Sequence, residues 1–167
     1  MSTPAIFNLE TVLGLVVFFL TVRWYVLPWL LTLGPDEALV PLLLFSSFRF
    51  LSLSFFPPTY TAGLPAAWYV PAGWGDFTVG IIALVAAIAV KNRMPGSRGL
   101  AWLYAIGGTV DFLYAGSQAA ANNVAEKIGG DWWIMTVGGP AWMVCIFYLY
   151  RLLIWPAPAA PTSRSSR

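Results

Sequence analysis

Residues 73–90 read Gly-Trp-Gly-Asp-Phe-Thr-Val-Gly-Ile-Ile-Ala-Leu-Val-Ala-Ala-Ile-Ala-Val, and this stretch decides the fold. Asp76 is its only charged residue. A strand of a membrane barrel is about ten residues long and alternates apolar with polar side chains. This run does not alternate, and its length approaches the roughly 20 apolar residues a helix needs to cross a bilayer. It reads as a transmembrane helix.

Working outward, four further apolar stretches have comparable length: 6–33, 38–56, 100–121 and 132–155. Breakers separate them. Gly34-Pro35-Asp36-Glu37 follows the first, Phe56-Pro57-Pro58 the second, and residues 91–99, with Pro95, Gly96 and Gly99, the third. Residues 122–131 close the fourth. Proline and glycine at these points stop a helix from running on. The expectation is an all-α membrane bundle of about five spans, forming one domain over residues 1–155. Residues 156–167, rich in Pro, Ala and Ser, read as a disordered tail.

Composition agrees with that class. Of the 167 residues 59% are hydrophobic and 10% charged, where a soluble domain carries about 25% charged. A chain this small cannot bury so much apolar surface in one aqueous core. A net charge of +2 and no basic tract argue against a nucleic-acid partner. The chain has no histidine, which removes His-ligated haem, His-based zinc sites and imidazole relays. Cys145 is the single cysteine, lies in an apolar run and reads as a packing residue. No cofactor or metal is expected. The first stretch lacks a preceding positive charge and carries Glu10, so it reads as a span and not a signal peptide.

Orientation follows Lys and Arg, which favour the cytoplasmic side. Lys91, Arg93 and Arg98 fall in the third connection, on the same side as Arg164 and Arg167 of the tail if there are five spans. The other side has Lys127 beside Glu126. The N-terminus is therefore expected outside and the C-terminus in the cytoplasm. Trp68, Trp74, Trp132 and Trp133 fit the outer interface, and Trp29, Trp102 and Trp155 the inner one. Arg23, flanked by Trp24 and Tyr25, reaches the inner interface if the first span ends near Leu27, the reading the aromatics favour, and is otherwise a second buried charge. Gly138-Gly139-Pro140 in the last stretch predicts a kinked helix.

Charges inside the membrane cost about 2.5–3.5 kcal/mol each on insertion scales and persist when paired or useful. At 1.5 Å per residue, Asp111 lies roughly 15 Å from the outer end of its span, Arg49 roughly 10 Å and Asp76 roughly 5 Å. These depths predict a network of Arg49, Asp76 and Asp111, whose guanidinium bridges two carboxylates. Glu10, near the outer end of the first span, is a candidate fourth member. Asp76, Gly80, Ala83 and Ala87 share one helix face. Gly108, Asp111, Ala115, Gln118 and Asn122 share another, so both faces are expected to look inward, with Gln118 and Asn122 extending the polar side.

The stretch Leu64-Pro65, then Ala72-Gly73-Trp74-Gly75-Asp76 with Gly80, is preceded by Arg49. It is followed by Trp102, Gly107-Gly108 and Asp111. This pattern, over residues 41–118, resembles a family of small, uncharacterised, multi-spanning bacterial membrane proteins. The resemblance implies a bacterial cell (inner) membrane protein in which the three ionisable residues matter. It supplies no activity. That family often has a histidine near the end of its last helix, where Tyr148 or Tyr150 stands here.

Three classes of function fit. An accessory or assembly protein, held by its ion network, would work with a membrane-protein partner or a second copy of itself in the bilayer. A conduit or carrier would move protons, ions or a small solute through Asp76 and Asp111. An enzyme at the outer interface would lack the second group that acid–base chemistry needs beside Asp76.

Overall fold

The computed structural model describes residues 1–57 and 63–157. Pro58 of the second breaker and residues 158–167 of the expected disordered tail, including Arg164 and Arg167, lie outside the described residues. Among the described residues there are five long helices, one short 3-10 helix (Val124–Glu126) and no strand. The long helices are α1 (Thr3–Leu30), α2 (Leu39–Phe55), α3 (Ala66–Lys91), α4 (Ser97–Ala121) and α5 (Gly129–Ile154). By length and composition α1, α3 and α5 are long and apolar enough to cross a membrane.

The third helix starts earlier than residue 73. Pro65 has an extended backbone and caps a helix that begins at Ala66. Pro71 is then inside the helix, in its second turn, where it has no N–H to give the Ala67 carbonyl. Trp68 is consequently carried into the protein and is almost fully buried.

Prolines reshape two other helices without ending them. Val22–Val26 and Ile134–Gly138 are π-helical, and each ends two residues before a proline, Pro28 and Pro140. Proline has no N–H to give the carbonyl four residues back, so the turn before it widens. The expected break in the last helix is absorbed in this way. Gly14 of α1 packs against this wide turn. A Cβ there would sit 2.7 Å from the Thr136 carbonyl oxygen, which Pro140 leaves without its usual α-helical donor.

α2 changes character halfway. Leu39–Ser47 is α-helical and Phe48–Phe55 is a 3-10 helix. The steeper 3-10 rise stretches this short helix to about 30 Å, where pure α-helix would give about 25 Å. Residues three apart eclipse in a 3-10 helix. Arg49, Ser52 and Phe55 therefore form one buried row, with Ser46 just before it. At α-helical spacing Phe55 would be turned about 120° away from Arg49.

Apolar packing falls into two stacked cores. One contains Leu27, Leu42, Leu43, Ala83, Ala87, Tyr104, Leu149 and Leu152. The other contains Phe55, Leu64, Trp68, Ala72, Val124, Ile134 and Trp142. Lys91, Arg93 and Arg98 lie at the Leu152 end, where Arg98 pairs with Asp36 at 2.8 Å and donates to the Leu153 carbonyl. That contact ties the α1–α2 connection to the start of α4 and the end of α5. Ser46, Arg49 and Ser52 occupy the level between the two cores.

Candidate functional site

Close backbone approach between α2 and α3 creates the site. At Gly80 an added Cβ would meet the Ser47 carbonyl at 3.1 Å, and at Gly73 it would strike the Phe56 ring at 2.6 Å. Ser52 Oγ donates to the Gly73 carbonyl at 3.2 Å. Asp76 lies between these glycines on the same face. The contact thus delivers the fully buried Arg49 side chain directly to its carboxylate.

Arg49 Nε donates to Asp76 Oδ1 at 2.6 Å, and Nη2 approaches the same oxygen at 2.5 Å. Nη2 also donates to Asp111 Oδ2. Nη1 reaches the Gly108 carbonyl at 3.4 Å, and the guanidinium carbon lies 4.1 Å from the centre of the Phe112 ring. The planar fork thus bridges α3 and α4 while its face rests on an aromatic ring. Two glycines make the room. An added Cβ at Gly108 would lie 3.0 Å from Arg49 Nη1, and one at Gly75 would collide with the Asp111 carboxylate. Ser46 Oγ and Tyr104 OH are buried without a hydrogen-bond partner in this polar layer.

Burial is unequal across the triad. The Arg49 side chain is 0% exposed, Asp76 13% and Asp111 11%. The difference has a direction, because both carboxylates line a cavity of about 510 Å³ and Arg49 does not. Trp68 and Phe55 form part of its back, with Trp68 Nε1 fixed on the Ala115 carbonyl at 2.9 Å. Its sides are the first turns of α1, residues 111–120 of α4 and residues 134–143 of α5. α1 packs along α5, while α1 and α4 flank the cavity without packing closely on each other. Exposed Asn8, Gly116, Ala120 and Asn123 line its rim.

Other expected members fall elsewhere. Glu10 does not join the network. It is exposed and accepts a hydrogen bond from Trp132 Nε1, tying α1 to α5. Depth alone suggested the grouping, but Glu10 lies on a helix that packs mainly on α5. Gln118 and Asn122 are half-buried and outside the cavity lining, and Asn122 turns back to the Gln118 carbonyl at 2.8 Å. Asn123, one residue on and in a left-handed conformation (φ 52°), lines the cavity instead. Arg23 is exposed on the protein surface. Cys145 is buried among apolar neighbours. Asp131, read as a loop residue, is also buried and accepts from Ser54 Oγ at 2.9 Å.

Among the described residues, no three His, Cys, Asp or Glu side chains come together as a metal would require. The site's chemistry is two carboxylates, one guanidinium and an apolar cavity.

The chain belongs to the family described as a domain of unknown function (DUF8737), whose model matches residues 6–154 and so spans the triad and nearly all of the cavity lining. No curated protein and no solved structure matches it.

Proposed function

We propose that this member of the family is a five-span protein of the bacterial cell membrane that binds a small solute in a cavity ending on Asp76 and Asp111. The observation that carries the reading is the lining of that cavity by both carboxylates, with Arg49 behind them. A network serving only to fix helix register has no need of such an approach. The bilayer assignment rests on the length of the apolar helices and on their exposed faces, such as Val12, Val16 and Val17 of α1 and Val110 and Leu113 of α4. Lys91, Arg93 and Arg98 favour a cytoplasmic Leu152 end, so the cavity opens in the outer half. Beneath the triad, Ala83, Ala87, Tyr104 and Ala105 are fully packed. This supports a one-sided binding site or one state of a carrier over an open channel. Among the described residues no Ser, Cys, His or Lys lines it, and the reading taken here is non-enzymatic.

The test uses the chain with Cys145→Ala and a single new thiol, Ala119→Cys, in the cavity wall. A membrane-impermeant thiol reagent added outside sealed vesicles is expected to modify it. Modification only from the cytoplasmic side, or none at all, would overturn the reading.

A second reading, an accessory protein with a membrane partner or a second copy of the chain, is favoured by α1. Only 6% of its most apolar window is buried, against 50% in α3 and 56% in α5. Gentle extraction from native membranes is expected to recover a stoichiometric companion or a dimer under this reading; a solitary monomer counts against it.

A further inference from the structure

We infer that the solute is a lipophilic monovalent cation, with an ammonium-type head against Asp76 and Asp111 and an aromatic or aliphatic body in the rest of the cavity. This rests on the binding role proposed above and names its ligand class.

Charge sets the head group. With its three members ionised the triad carries one negative charge more than positive, and both carboxylates face the cavity while the guanidinium is sealed behind them. Excess charge among apolar walls calls for a neutralising partner. An anion is repelled and a neutral solute leaves the charge unmatched. A single positive charge balances it, and a divalent ion overshoots. Small inorganic cations also need about six oxygen ligands, whereas the wall beside the carboxylates is Phe55, Trp68, Ala72, Phe112 and Trp142. Aromatic faces and carboxylates together suit an organic cation, whose charge is spread and whose hydration is weak.

The body follows from volume and access. About 510 Å³ lies within the usual range for small-molecule sites, roughly 300–1,000 Å³, and far exceeds an ammonium group. The remaining wall, including Ile134 and Met135, is apolar. The gap between α1 and α4 gives a lipophilic solute a lateral approach beside the outward mouth. A proton is the natural competitor, since it neutralises the same excess. The ionisable groups facing the carboxylates are Arg49 from α2 and each other across α3 and α4. Tyr104 of α4 lies in the same polar layer, and α1 and α5 add none among the described residues.

The experiment compares phenylbutylamine, phenylbutanol and phenylbutanoate, which share a body and differ in charge. Binding to the detergent-purified full chain is read by intrinsic tryptophan fluorescence and by the shift in melting temperature. The amine is expected to bind about tenfold or more tighter than the alcohol, the margin of one charge-assisted hydrogen bond. The carboxylate should not bind. Asp111→Asn should remove the preference for the amine. Gly116→Phe, which leaves every charge in place and points into open space at the cavity rim, should weaken all binding. If the alcohol binds as well as the amine, the cation assignment is overturned and the cavity remains a binding site. If no compound of any charge binds, the binding role itself is overturned.

Discussion

Gly75 is the most exposed test of the triad at the scale of single residues, because its missing side chain is what the Asp111 carboxylate occupies. Gly75→Ala is expected to destabilise the protein by about 1–3 kcal/mol, the usual cost of overpacking. Gly107→Ala is the matched control, since its Cβ would make only an ordinary 3.6 Å contact with Val79. It should be neutral or stabilising by up to about 1 kcal/mol through helix propensity. Equal effects in a denaturation series would show that Gly75 is not shaped by the carboxylate. Removing the guanidinium is more severe. Arg49→Met leaves two carboxylates buried without their counter-charge and is expected to cost about 3–5 kcal/mol. Adding Asp76→Asn and Asp111→Asn to it should recover a large part of the loss. A triple variant no more stable than Arg49→Met would mean that size and packing, not charge, hold the site. The three members of the triad were legible in the sequence because charges inside long apolar runs are rare and must meet. Glu10 was misplaced because depth carries no information about azimuth. Asn122 and Asn123 exchanged roles because the helix ends between them in a left-handed turn.

At the scale of the helices, the run Ser46, Arg49, Ser52 and Phe55 explains how a short segment reaches across the polar layer. Its spacing of three is visible in the sequence, as serines flanking an arginine at equal intervals, but an α-helical reading scatters those residues around the helix. The 3-10 geometry coincides with close contact at Gly73 and Gly80, which local propensity does not reveal. At Pro140 a disturbed helix was legible and at Pro28 it was not, while the π-turn before each depends on the neighbour it packs against. Gly14→Ala tests one such contact. Its Cβ would meet backbone at Thr136, which cannot rotate away, so a loss of about 1–3 kcal/mol is expected. A thermal midpoint unchanged by this substitution would contradict the close seating of α1 on α5.

For the whole molecule, the two stacked cores with a polar layer between them give each end a different character. The Leu152 end is closed by apolar packing and the Arg98–Asp36 pair, whereas the Trp68 end holds the cavity. Helix number and the grouping of the central charges follow from patterns along one chain. A cavity does not, because it is the space left between helices whose rotations the sequence does not encode in any single stretch. Sidedness is checked with Met94→Cys in the Cys145→Ala background, placed in the exposed turn after α3. This thiol is expected to react with an impermeant reagent only from the cytoplasmic side, opposite to Ala119→Cys. The central claim, that Asp76 and Asp111 are reachable through the cavity, is tested most directly by chemical modification of the carboxylates themselves. Full-length protein in lipid nanodiscs is treated with dicyclohexylcarbodiimide and the adducts are mapped by mass spectrometry. The expected result is modification of Asp76 or Asp111, suppressed by Gly116→Phe. Modification of exposed Glu10 with both aspartates untouched would contradict the account.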